Sequence, residues 1–111
     1  MNIITWNDFE KVDMRVGTII EINNFPEAHK PAYQLSIDFG NEIGIKKSSA
    51  QITKRYTKED LLHKQIIAVV NFPKKQIGKF MSECLVLGSV NGDDIVLLTP
   101  DFKVENGLKI G

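Results

Sequence analysis

The sequence predicts an all-β fold, a small barrel of five or six short strands joined by short helical connectors. Three observations carry this reading. Tyr33, Leu35, Ile37 and Phe39 alternate with Gln34, Ser36 and Asp38, the period of two that a half-buried strand requires. Ile66 to Phe72 is an almost unbroken β-branched run, as expected for a strand covered on both faces. Asn91-Gly92 lies between two apolar segments and is a strong short-range hairpin signal, because a type I′ turn needs two residues that accept positive φ.

Each element follows in chain order. Thr5 to Asp8 reads as a capping box, with the hydroxyl satisfying an orphan helix amide and the carboxylate reaching back, so a short helix starts near Trp6. From Met14 the apolar residues Met14, Val16, Ile20 and Ile22 fall on even positions, which predicts a strand with that set inward and Ile19 out of pattern. The strand at 33–39 is followed by Gly40 and Asn41, so Ile43 and Ile45 should open a return strand that runs into Lys46 and Lys47. Thr57 to Asp60 repeats the capping signature before Leu61 and Leu62 and predicts a helical connector in mid-chain. Pro73 ends the strand at 66–72. Cys84–Val90 and Ile95–Thr99 form the last pair of strands, stopped by Pro100. A helix between the third and fourth strands fits a five-stranded OB-fold (oligonucleotide/oligosaccharide-binding) Greek-key barrel with N- and C-terminal extensions. An immunoglobulin-type sandwich, which needs about seven strands and no central helix, ranks second.

With 111 residues the chain is expected to form one domain over 1–111. Hydrophobic residues at 42% and charged residues at 25% exclude a disordered tail, a collagen-like repeat or a coiled coil. The longest apolar runs, Ile66–Val70 and Ile95–Leu98, fall far short of the roughly 18–20 residues of a membrane span. The N-terminus has no basic segment leading into an apolar stretch, Cys84 is the single cysteine, and no Asn-x-Ser/Thr site occurs. The expectation is a cytoplasmic protein without membrane insertion.

Reactive groups at workable spacing are scarce. His29 and His63 lack a paired cysteine or neighbouring histidine and make a poor zinc site. Cys84 opens an apolar strand and reads as core. There is no Gly-x-Gly-x-x-Gly turn and no Walker-type loop, Ser48-Ser49 has no recognisable base, and Glu59-Asp60 and Asp93-Asp94 sit where helix starts and turns favour acids. The chain is therefore read as a non-enzyme without metal or cofactor.

Charge is distributed unevenly. The 14 basic and 14 acidic residues cancel, yet within 46–79 nine basic side chains face only Glu59 and Asp60. Both flanks are acidic. Such a segment would draw an anionic partner to one face, whereas the alternative is a merely solvated basic surface. Three clusters interleave lysine and arginine with polar or aromatic residues: Lys46-Lys47-Ser48-Ser49, Lys54-Arg55-Tyr56, and Phe72-Pro73-Lys74-Lys75. Cations on phosphate with an exposed ring on a base would suit single-stranded RNA. The same lysines beside exposed Phe72, Phe80 or Met81 would hold an extended, partly apolar polypeptide, unless those rings are core.

Asp8-Phe9-Glu10-Lys11-Val12-Asp13-Met14-Arg15-Val16-Gly17 resembles the D-F-x-K-x-D-x-R-V-G opening of the tRNA-binding barrel domain, which occurs free-standing and at the ends of some tRNA synthetases. Phe25 to Tyr33, Ser48 to Tyr56 and Val69 to Pro73 resemble, more narrowly, the CsaA branch of export-related chaperones. The resemblance implies a homodimeric barrel that binds unfolded or pre-secretory polypeptides, with a secretion-motor component as a further candidate partner. It also places Asn71 and Ser82 at positions used for tRNA contact. Two motifs depart from the tRNA-binding pattern: Ser-x-Gly-Met stands here as Ser82-Glu83-Cys84-Leu85, and His-Pro-x-Ala-x-Lys-Leu as Phe25 to Pro31 with its first and last residues changed.

The leading expectation is an ATP-independent chaperone whose basic rim is Lys46, Lys47, Lys54, Arg55, Lys74 and Lys75, with Ser49 in the same stretch and Phe72, Phe80 and Met81 as apolar contacts. A tRNA-binding module using the same face, with Asn71 and Ser82 as polar contacts, is the alternative. A structural dimerisation domain also fits the fold but leaves the basic segment unexplained. For a dimer, Ile3, Ile4, Trp6, Phe102, Val104, Leu108 and Ile110 are expected to bury apolar surface across a two-fold axis, or else to pack on their own barrel.

Overall fold

A computed structural model describes residues 1–111. Helix α1 (Trp6–Glu10) leads into β1 (Met14–Asn24), β2 (Tyr33–Asp38) and β3 (Ile45–Ala50). Helix α2 (Lys58–Leu61) connects to β4 (Gln65–Val69). The chain continues as β5 (Lys75–Ile77), β6 (Phe80–Ser82), β7 (Leu85–Val86), β8 (Gly88–Asn91) and β9 (Asp94–Leu97). Both helices start as the sequence predicts. Thr5 and Thr57 each accept from the backbone N–H of the acid three residues on, and each acid accepts from the backbone N–H of its threonine.

An antiparallel sheet in the order β3-β2-β1-β4-β7 curls into a nearly closed five-stranded barrel of the OB type. The seam is shut between β3 and the β6–β7 segment. Glu83 N–H donates to the Lys47 carbonyl at 2.7 Å, and the Glu83 carboxylate accepts from Lys47 N–H at 3.0 Å. One step along, the Ser82 hydroxyl accepts from Ser49 N–H at 3.1 Å, and the Ser48 hydroxyl donates to the Cys84 carbonyl at 3.0 Å. Inside lie Ile19, Leu35, Ile37, Phe39, Ile66, Ala68 and Cys84, with Leu61 of α2 as a plug. Of the alternating set at 33–39, Leu35, Ile37 and Phe39 are buried and Tyr33 is half-buried, its hydroxyl donating to the Tyr56 carbonyl.

Several predicted details are corrected. β1 carries a bulge between Ile19 and Glu21, so the even-position pattern fails at mid-strand: Ile19 is fully buried and Ile20 faces solvent. The return strand begins at Ile45, whose side chain is exposed, and Ser48 and Ala50 are its buried residues. β4 ends at Val69: Val70 N–H still donates to the Asp13 carbonyl in register, but Asp13 N–H turns to the Asn71 side chain and the ladder stops there. The segment 84–90 is two strands. At Leu87 the N–H still bonds to Ile67 of the barrel, whereas the carbonyl already accepts from Leu98, so the chain changes sheet there. The β8–β9 hairpin exists, but Asn91 pairs with Asp94 and only Gly92 has positive φ (61°), so the two-residue turn is Gly92-Asp93 with the pattern of type II′. The β5–β6 hairpin is an element the sequence reading lacks, although Gly78-Lys79, with Gly78 at φ 59°, carries the same signal.

The C-terminal extension lies along the edge of β1 that β2 leaves free. Val16 N–H donates to the Leu108 carbonyl, Gly107 N–H to the Val16 carbonyl and Ile110 N–H to the Met14 carbonyl. Arg15 clips it further, donating to the Gly107 carbonyl at 3.0 Å while bonding to Asp13 at 2.6 Å, a contact that raises its pKa. No helix is long and apolar enough to cross a membrane.

Candidate functional site

The seam that closes the barrel also builds a concave surface. A groove of about 440 Å³ runs between the end of β3, hairpin β5–β6 and strand β8, floored by Ile52, Ile77, Cys84 and Leu87. A second hollow of about 410 Å³ adjoins it, walled by Phe72, Pro73, Lys74 and Leu85. A third, of about 330 Å³, lies on the other side of β5 and reaches His29 and Lys30. Lys75 borders all three, and Ser82 borders the first two. The surface is a lysine-edged apolar trough, and burying apolar side chains there removes them from water without any bonded chemistry.

The expected binding residues divide between this trough and other places. Ser49, Phe72, Lys74, Lys75 and Ser82 line it. Lys47 sits at the seam through its backbone bonds to Glu83, and Lys46 is near enough to Cys84 to act on the thiol electrostatically. Lys54 and Arg55 are elsewhere engaged: Lys54 pairs with Asp93 at 3.0 Å, and Arg55 grips Asp94 through two contacts of 2.8 Å. That fork raises the Arg55 pKa and lowers that of Asp94. The basic segment is thus partly neutralised by the acidic turn of β8–β9. Lys74 lies 3.7 Å from Glu83, whereas Lys46, Lys47, Lys75 and Lys79 have no ion pair.

Phe80 stacks against Phe25 at 5.3 Å and belongs to a separate hollow, so it is half-buried packing and not the exposed ring expected. Phe72, at 51% exposure, is open to solvent, as is Met81 on the next hairpin strand. Asn71 stands at the far end of β4, where its amide accepts from Asp13 N–H at 3.0 Å and donates to the Lys11 carbonyl at 2.7 Å. Both ends of that side chain hold the turn after α1. Ser82 accepts from Ser49 N–H, which leaves its own O–H free to donate. Burial pushes the Cys84 thiol up to about 12, which leaves it protonated and inert beneath the groove. Leu85, Leu87, Val90 and Ile95 were missed as groove residues; Leu85 and Val90 are exposed apolar side chains within short strands, which a period-two reading assigns to the core.

Ile3, Ile4, Trp6, Phe102 and Leu108 are exposed. Val104 and Ile110 are half-buried against their own barrel, the former because its backbone makes two bonds to the Gln65 amide.

Residues 14–109 match the family model described as a putative tRNA binding domain. The structure superposes on the CsaA chaperone protein from Picrophilus torridus with a TM-score of 0.92 at 60% identity, covering 98% of this chain and 100% of that one. For chaperone CsaA from Bacillus anthracis str. Ames the TM-score is 0.93 at 51% identity, covering 99% and 100%. Methionine–tRNA ligase from Pyrococcus horikoshii is 36% identical over 110 residues, which is 99% of this chain but 15% of the ligase. This chain therefore corresponds to a small part of those ligases. With the family model spanning most of its length and two CsaA structures matching end to end, the chain belongs to the CsaA-type proteins of the tRNA-binding domain family.

Proposed function

We propose that this protein is a cytoplasmic, ATP-independent chaperone whose single domain acts as a homodimer and holds unfolded or export-bound polypeptides in the lysine-edged trough. The observation that carries the reading is the continuity of apolar lining from Phe72 and Leu85 to Ile52 and Ile77 around the unpaired Lys75. A folded partner hides its apolar side chains, whereas an unfolded one presents them, so reversible capture lowers the free concentration of aggregation-prone chain. The exposed Ile3, Ile4, Trp6, Phe102 and Leu108 supply apolar surface for a two-fold contact, and two troughs on one dimer gain avidity on one long chain. Similarity to proteins named as CsaA chaperones supports the same reading. For export-bound clients, a secretion-motor component is the natural receiver.

Binding of tRNA is the second reading, favoured by the unpaired Lys46, Lys47, Lys75 and Lys79 and by the family's description. The internal bonds of Asn71 weigh against it, since both its amide oxygen and its amide nitrogen hold the turn after α1. The test is aggregation of a chemically denatured model protein in the presence of stoichiometric dimer, with wild type compared against Leu85→Asp. Suppression by wild type and its loss in the variant are expected. Aggregation that proceeds unchanged beside wild type overturns the chaperone reading.

A further inference from the structure

We infer that the trough captures its client as an added β-strand along the open edge of β8, taking an extended segment that alternates apolar side chains with at least one carboxylate. The inference deepens the chaperone reading and rests on it.

The ladder of the β8–β9 hairpin fixes which backbone groups are free. Leu98 N–H donates to the Leu87 carbonyl, so Leu87 and Leu98 face each other as a bonded pair. In an antiparallel ladder bonded and non-bonded pairs alternate, which makes Ser89–Val96 and Asn91–Asp94 bonded and Gly88–Leu97 and Val90–Ile95 non-bonded. The N–H and C=O of Gly88 and Val90 therefore point away from β9. The register is confirmed from the opposite side, where Leu97 N–H, also directed outward, donates to the Tyr56 hydroxyl at 2.9 Å.

The two edges of the hairpin are treated differently. On the β9 side Tyr56 takes Leu97 N–H, and Arg55 grips Asp94. On the β8 side no strand, side chain or loop satisfies Gly88 or Val90. Side chains give the same answer. Val90, Ile95 and Leu97 share one face of the hairpin, yet Leu97 is buried and Val90 is 77% exposed, because the sheet ends at β8 and nothing flanks it. Gly88 and Val90 both line the 440 Å³ groove, so an incoming strand would lay its backbone on this edge and its inward side chains on Ile95 and Ile52. Lys75, unpaired on the opposite wall, supplies the charge that a client carboxylate complements. A row of unpaired amides and carbonyls is a template for another strand and recognises main chain regardless of sequence, which suits a binder of many clients.

The test uses fluorescence anisotropy with a labelled peptide of about eight residues alternating valine and glutamate, together with two versions N-methylated at every odd or every even residue. N-methylation leaves side chains intact and removes donors from one edge of the strand. One methylated version is expected to bind at least about tenfold more weakly, and the other within about twofold of the parent. Val90→Pro removes an outward donor without touching a ladder bond, so it should melt close to wild type and bind the parent peptide at least about tenfold more weakly. Equal binding of all three peptides, with Val90→Pro indistinguishable from wild type, overturns the added strand and leaves the chaperone reading standing. Failure of wild type to bind any peptide overturns both. A wild-type tetramer of dimers or filament that Val90→Pro dissolves would assign the edge to a second copy of this chain and likewise overturn the inference.

Discussion

Replacing Ser82 by alanine separates a structural role from a ligand-contacting one. The Ser82 oxygen accepts from Ser49 N–H at 3.1 Å, in a part-buried position on the seam between β3 and β6. Alanine removes that acceptor and leaves a backbone donor without its partner, beside the Glu83–Lys47 pair that closes the barrel. The net loss for one such bond is about 1 kcal/mol, at the lower end of the penalty for an unmet donor because the site is only part-buried. For a domain of this size that corresponds to a fall in Tm of about 4 °C. Thermal unfolding by circular dichroism measures it, with Ser82→Thr, which keeps the hydroxyl, as the control. Peptide affinity should fall by less than about threefold, through loosening of the groove wall. A variant that melts like wild type but loses tRNA binding tenfold would refute the reasoning and make Ser82 a nucleic-acid contact.

Gly17→Ala should destabilise the barrel by about 1–3 kcal/mol in urea unfolding, because the added methyl would meet Ile37 at 2.6 Å and the Phe39 ring at 2.7 Å; unchanged stability would mean the ring can yield. Cys84, with its thiol pushed up to about 12, should resist iodoacetamide at neutral pH in the native protein and react once unfolded in urea, as followed by mass spectrometry. Asp60 and Asp94 are held below the ordinary carboxylate range, the first mainly by Thr57 N–H and the second by Arg55. A lowered folded-state pKa adds stability above the ordinary aspartate value of about 4, and that stability is lost as pH falls through the lowered values. The urea midpoint should therefore drop in acid, and Asp94→Asn should flatten the drop; an unaltered slope would remove Asp94 from the explanation.

What the sequence made legible was local. The alternation of β2 and the two capping boxes depend on residues within four positions of one another, and the structure reproduces them. The bulge at Ile19 inverts the facing of β1 and is dictated by how β2 and β4 share that strand, which no short window contains. Sharing of Leu87 between barrel and hairpin is hidden for the same reason, since the partner bonds come from Ile67 and Leu98. Among the site residues, the lysines and Phe72 around the trough could be found from charge and aromatic clustering. Linear proximity hides one feature of the basic segment: Lys54 and Arg55 lie within it in sequence but are paired with Asp93 and Asp94, 39 residues downstream. The missed Leu85 and Val90 look like core residues until the free edge of the sheet is known.

The central claim is that an apolar trough, and not a phosphate-binding face, is the working surface. Anisotropy titrations of a labelled unstructured peptide and a labelled tRNA, each at low and at moderate salt, test it most directly. Apolar contacts hold or strengthen as salt rises, whereas phosphate binding weakens steeply with each lysine engaged. The expected result is peptide binding that survives the increase in salt, with negligible affinity for tRNA. Tight tRNA binding that collapses with salt, without any peptide signal, would contradict the claim and assign Lys46, Lys47, Lys75 and Lys79 to phosphate.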